Sequence, residues 1–327
     1  MDIGGTHLRA GLYALTAGRL ERAPSPIASL REKVGDQRSP EALCSRISVI
    51  LKKLWLSAGL PESDFNVSEI ALGIAFAGMM SGHEGHVANS PHFGWRDVPF
   101  GKLLRAELGK SSLVILNDVN AATFAEFEIN PKSERNDILC LFVGTGIGAG
   151  AVCGDQLLLG ATNTASELGH VKVAWGEDAR LCACGRRGCV EAYAGGVALQ
   201  SRAQRELADN PSSLVVALAG DISSIHPGHI DQAAAQGDIY AQSLYSEIAP
   251  LLGLALANAV TLLNPDMVVL GGGVLDNAPV LKEKALEHFR EFVNPPALIG
   301  LSIRDARYAD SAGMLGAALF ALRSSTL

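Results

Sequence analysis

The sequence predicts a two-domain α/β protein on a duplicated plan, and three observations carry that expectation. Glycine-rich turns recur as "DIGGT" at 2–6, "GTGIG" at 144–148 and "GGG" at 271–273. The first two precede an outgoing strand, so one strand–turn–strand logic appears in both halves, as suits a nucleotide held between them. The 327 residues exceed the roughly 150 of a typical domain.

In chain order, "HLRAGLYAL" (7–15) reads as a strand. "SPEALCSRISVILKKLWLSAG" (39–59) has helical spacing of apolar residues, ending at Gly59 with Pro61 beyond. "VSEIALGIAFAG" (67–78) is an apolar strand entering a turn, and "GWRDVPFGKLLRAELG" (94–109) opens a helix. "SSLVILND" (111–118) is a buried strand that delivers Asn117 and Asp118 at its carboxyl end, where open α/β sheets bind ligands. A helix begins at "VNAATFAEF", and "DILCLFVGTGIGAGAVCGDQLLLG" (137–160) reads as two strands around the glycine turn. "DMVVLGGG" (266–273) is another buried strand, "APVLKEKALEHFREFV" (278–293) a helix, and "SAGMLGAALFALR" (311–323) the last helix. The expected division is a small N-terminal domain, 1–116, and a large one, 117–310, with helix 311–327 packing back on the first.

Hydrophobic content of 48% and charged content of 19% describe a well-buried globular chain. A net charge of -7 argues against sequence-independent binding to nucleic acid or acidic membranes, which needs a basic face. The longest apolar run, Leu251 to Leu263, contains Asn258 and stops short of the roughly 20 residues of a membrane span. No charged-then-apolar leader precedes the first motif, so a cytoplasmic address is expected.

Three of six cysteines crowd into "CACGRRGC", which favours a metal over disulfides. Cys182, Cys184 and Cys189 with His170 make the closed four-ligand set of a structural zinc site, and Gly185 and Gly188 let the chain fold tightly around the ion. Asp118 could take a proton from a ligand hydroxyl while Asn117 hydrogen-bonds the same ligand. The pair would serve equally well as a helix N-cap, and the residues alone do not choose. The turns let backbone N–H groups approach phosphate, through Gly4 and Gly5, Gly144 and Gly146, and Gly271, Gly272 and Gly273. Thr6 and Thr145 add hydroxyls, and Asp2 could partner a magnesium-bound water. None of the turns fits the P-loop pattern.

The run Glu167 to His170 ("ExGH"), followed by C-x-C-G-x-x-G-C-x-E from Cys182 to Glu191, resembles the signature of the ROK family of sugar kinases and related repressors. "DIGGT", "NDVNAA" and "GGG" stand in the family's order, so the resemblance spans essentially the whole chain, and "GWRDVP" resembles its glucokinase branch. The resemblance implies an actin-like, hexokinase-like (ribonuclease H-like) fold with sugar in an interdomain cleft, ATP as donor, Mg2+ with the ATP, structural Zn2+ and a homodimer. By position, Asp118 would be the catalytic base. Asn117, Glu167, His170 and Glu191 would bind sugar hydroxyls, with Gly78 and Asn89 as further contacts, and His170 would also ligate zinc. The expected reaction is phosphorylation of the 6-hydroxyl of a hexose, foremost glucose; fructose, mannose, N-acetylmannosamine and N-acetylglucosamine are alternative sugars, and a catalytically weak sugar-binding regulator is the alternative function. The family's repressors carry an added N-terminal helix-turn-helix, which is not expected here with the phosphate motif at residue 2.

In that family a strand of roughly five residues would precede Asp2, and His7 stands where lysine is common. Loss of the strand is expected to expose a sheet edge and leave Asp2 fraying at a charged terminus, and a start a few codons upstream is the preferred explanation.

Overall fold

The computed structural model describes residues 1–14, 25–110, 113–130, 137–209, 212–308 and 311–325. Leu15 of the first expected strand, Ser111 and Ser112 of a later one, and residues 326–327 of the expected last helix lie outside them.

The first elements are β1 (Asp2–Ile3), β2 (His7–Leu12), β3 (Ala28–Lys33), α1 (Pro40–Ser57), β4 (Gly73–Phe76), β5 (Met79–Ser81), β6 (His86–Ser90), β7 (Trp95–Val98) and α2 (Phe100–Leu108). Next come β8 (Val114–Asn117), α3 (Asp118–Glu128), β9 (Ile138–Val143), β10 (Ile147–Cys153), β11 (Gln156–Leu157), α4 (Glu191–Ala194) and α5 (Gly196–Glu206). The chain continues through α6 (Leu214–Ala219), α7 (Pro227–Ala235), α8 (Ile239–Leu263), β12 (Met267–Gly271), α9 (Gly273–Asn277), α10 (Pro279–Phe292), β13 (Ser302–Asp305) and α11 (Ala312–Ser325). Packing groups them into unit 1, Met1–Arg135, Ala151–Ala165 and Arg307–Leu327, and unit 2, Asn136–Gly150 and Ser166–Ala306.

In unit 1 a sheet runs in the order β3-β2-β1-β4-β8. Strand β1 is antiparallel to β2 and parallel to β4, which is parallel to β8. Although β1 has two residues, the chain end is not frayed, which corrects the sequence expectation. Met1 is buried, and its ammonium donates to Gly73 O at 2.6 Å. Ala75 N–H donates to Met1 O at 2.8 Å, and Arg9 pairs with Asp2 at 3.2 Å. Burial in the sheet lowers the Met1 amine from 8.0 to about 6, because the charged form loses its water. Helix α1 starts where Ser39 Oγ accepts the Ala42 N–H and Pro40 fits the first turn. Its apolar stripe, including Leu43, Ile47, Ile50 and Leu54, is buried in the core.

Helix α3 joins unit 1 because α11 packs along it, so this unit runs further than the 1–116 expected from the sequence. A Cβ on Gly316 of α11 would collide with Ala121 O of α3, and one on Gly73 of β4 with Ala317 O. The two backbones approach α11 more closely than any side chain allows. A three-stranded sheet, β5-β6-β7, follows β4. Phe93 and Trp95 of the "SPHFGW" stretch are buried beside Phe76 and Phe100, with ring centroids 5.1–5.4 Å apart.

The second sheet has the order β11-β10-β9-β12-β13, with β12 parallel to both β9 and β13. Strand β10 carries the chain out of unit 2 at Gly150. The 25-residue α8 is long and apolar enough to cross a membrane, but half of its most apolar window is buried within the protein. It packs on α10 and α7 as a core helix of unit 2.

Candidate active site

In unit 1 the carboxyl end of β8 places Asn117 as the N-cap of α3 and Asp118 as its first residue. Asn117 Oδ1 accepts the Val119 and Asn120 N–H groups at 2.9 and 3.2 Å as the N-cap, and Asp118 Oδ1 also accepts the Val119 N–H at 3.0 Å. Asn117 Nδ2 donates to Gly78 O at 3.0 Å. This ties the strand end to the turn before β5, where Met79 pairs with Asn89. Gly78, Asn89, Asn117 and Asp118 thus converge on one edge of unit 1. A Cβ on Gly78 would sit 3.0 Å from Ser90 Cβ and 3.1 Å from Asn89 O, so the residue lets the turn close on β6.

The first glycine turn closes with Gly4 N–H donating to His7 O at 3.0 Å, and Thr6 is exposed beyond it. A Cβ on Gly5 would lie 2.6 Å from the His92 ring.

In unit 2 the buried β9 ends at the second turn, where Gly144 N–H donates to Gly146 O at 2.9 Å and Thr145 is exposed. Gly196 N–H donates to Gly144 O at 2.8 Å and Val197 N–H to Thr145 O at 3.0 Å, so the start of α5 braces the turn. Gly272 has φ +94°, and a Cβ there would be 2.6 Å from Val143 O. Only glycine lets the third turn, Gly271 to Gly273, lie against the second.

The "ExGH" segment forms a 3-10 turn, with His170 Nε2 4.0 Å from Glu167 Oε2. Burial raises the Glu167 carboxyl above its usual range; His170 opposes this and Glu191 adds to it. The other nitrogen, Nδ1, lies 3.8 Å from Cys182 Sγ, while Cys184 and Cys189 sulfurs are 3.7 Å apart. One ligand atom from each of His170, Cys182, Cys184 and Cys189 lies within 4.8 Å of all the others. With metal–sulfur bonds of about 2.3 Å, tetrahedral geometry puts ligand sulfurs roughly 3.8 Å apart. The donor set therefore fits one tetrahedral ion. Lys172 Nζ donates to Cys189 Sγ at 2.9 Å, placing positive charge where a thiolate would form.

Glu191 joins the cysteine knot to the glycine turn. Its Oε2 accepts the Ile147 N–H at 2.9 Å, and its Oε1 is 3.6 Å from Cys182 Sγ. Beside the turn lies a cavity of about 1070 Å³ walled by Gly144, Thr145 and residues of α5, α7, α9 and α10. Sequence reasoning passed over His226 and His229, which line it. "HPGH" carried a signal, since His226 directly before Pro227 marks a helix start.

The ROK family model matches residues 1–324. The glucokinase of Streptomyces coelicolor is 29% identical over 327 residues, 97% of this chain and 95% of its own. A ROK family glucokinase from Streptomyces griseus, solved in complex with glucose and AMPPNP, is similar at 28% identity and a TM-score of 0.74 over 98% of both chains. The ROK hexokinase of Thermus thermophilus gives 28% and 0.78 over 99% of this chain and 97% of its own. These likenesses bear out the actin-like, hexokinase-like fold that the motifs implied. Along essentially its whole length, this chain belongs to the ROK family.

Proposed function

We propose that the protein transfers the γ-phosphoryl group of ATP to the 6-hydroxyl of a hexose, foremost glucose. The observation that carries this reading is the placement of Asp118 at the head of α3, beside Gly78, Asn89 and Asn117. A carboxylate there accepts the hydroxyl proton as the alcohol oxygen attacks phosphorus and ADP departs. Asn117 has committed its oxygen to the cap and one N–H to Gly78, which leaves its second amide N–H for a sugar oxygen. Glu167, His170 and Glu191 supply the remaining sugar contacts. The glycine turns take the phosphates, with Mg2+ accompanying the nucleotide and spreading its charge.

The named ligands of the Streptomyces griseus relative, glucose and AMPPNP, support both substrates. His170, Cys182, Cys184 and Cys189 would hold a structural Zn2+, whose contribution is rigidity of the loop that carries His170. We assign the protein to the cytoplasm, where ATP is supplied, and to a homodimer, by family resemblance.

Asp118→Ala tests the assignment. Turnover should fall by about 10²–10⁴-fold while calorimetry still detects glucose binding. A variant with near-normal kcat rules out Asp118 as the base.

A further inference from the structure

The cavity beside the second glycine turn holds two histidines whose rings stack on each other. The centroids of His226 and His229 are 3.5 Å apart and the planes are tilted by 31°. His226 Nδ1 accepts the Gly228 N–H at 3.2 Å, which fixes one edge of the ring as the cap of α7. The rest of that ring is exposed. His229 Nδ1 is buried and has no hydrogen-bond partner among the described residues.

Burial and the neighbouring ring both disfavour charge on His229, whose ring lines the cavity as a π surface. The other walls agree with an uncharged guest. Among the described residues lining the cavity there is no lysine or arginine. The one carboxylate, Asp231, accepts the Val280 and Leu281 N–H groups at 3.2 and 3.0 Å. Gln200 and Gln232 add amides that can read the edge of a planar heterocycle. A bare polyanion would find no cationic side chain here, whereas an aromatic base finds a stacking face and hydrogen-bonding groups.

We propose that the His226–His229 pair is the platform on which the base of the phosphoryl donor stacks, and that it selects a nucleotide over inorganic polyphosphate. This inference rests on the kinase reading above and specifies its donor site. His226 is thereby a specificity residue remote from the transferred phosphoryl group.

Two substitutions separate the ring from the cap. His226→Asn keeps a good N-cap and deletes the ring. His226→Phe keeps the ring and deletes the cap. The direct measurement is calorimetric binding of ADP to the full chain, followed by KM for ATP, for polyphosphate and for glucose. His226→Asn should weaken ADP binding and raise the ATP KM by about tenfold or more, with the glucose KM unchanged. His226→Phe should stay within about threefold of the parent in ADP affinity, although it is less stable. Polyphosphate should be a poor donor for the parent chain.

Equal ADP affinity in the parent and His226→Asn, or parent turnover on polyphosphate as efficient as on ATP, overturns the proposal. A parent chain that binds ADP but phosphorylates no sugar overturns the kinase reading instead, and the ADP titrations still decide the platform. A parent that binds no ADP overturns the platform.

Discussion

The two glycine turns share a hydrogen-bonding plan and differ in what supports them. In each, the first glycine N–H closes the turn, Gly4 onto His7 O and Gly144 onto Gly146 O. The second turn leaves a six-residue buried strand, is braced from α5, and has Glu191 on the N–H of Ile147. The first leaves a two-residue strand and leans on a buried chain end, the Arg9–Asp2 pair and the nearby His92 ring. A motif specifies a turn, but the stiffness of that turn is set by parts of the chain far away in sequence.

The largest effect expected on the two turns comes from removing the cation assigned to the cysteine knot. Because Glu191 touches both Cys182 and the turn, chelation should weaken ATP binding about 10–100-fold. Metal content and nucleotide titration, followed together, check it. Unchanged ATP affinity in a chain stripped of metal would break the asserted link between knot and turn.

A sharper contrast pairs Gly146→Ala with Gly4→Ala. A Cβ on Gly146 collides with the Glu191 carboxylate, whereas one on Gly4 meets only His7 O at 3.4 Å, an ordinary contact. Overpacking of about 1–3 kcal/mol should raise the ATP KM roughly tenfold or more in the first variant. The second should stay within about threefold. Equal KM values would mean that the two turns are supported alike.

A separate effect concerns stability. The Met1 amine lies at about 6 in the folded 327-residue chain against 8.0 for its ordinary value. Between these values the unfolded chain binds more protons, so stability rises with pH from about 6 to 8 and is reduced below that window. The displacement corresponds to about 2–3 kcal/mol. Acetylating Met1 should flatten this part of the profile in thermal melts, and identical slopes with and without acetyl would refute the buried ammonium.

Much of this was legible in the sequence. Apolar spacing ending at Gly59 with Pro61 beyond marked α1, and glycine after apolar runs marked the turns. The spacing of Cys182, Cys184, Cys189 and His170 marked the metal set, because clustered ligands within one loop need little knowledge of the fold. Other features depended on contacts between distant segments, which periodicity does not report. Glu191 reaches Ile147 across 44 positions, and Met1 is buried by its bond to Gly73 across 72. Phe93 and Trp95 of "SPHFGW" fill the core beside Phe76 and Phe100, a packing role that no spacing within the stretch announces. His226 and His229 went unread because a cavity wall has no sequence period.

The close backbone contacts of α11 restrict what its positions and those facing it can carry. Gly316 and Gly73 each sit where a single methyl group would push α11 off its neighbours, including the helix that begins at Asp118. Drift at these positions should therefore be as restricted across diverging relatives as at Asp118. A one-residue insertion between Ala312 and Gly316 would rotate the glycine off Ala121 by about 100°. Length variation should accordingly be purged from that stretch while the loops before it vary freely.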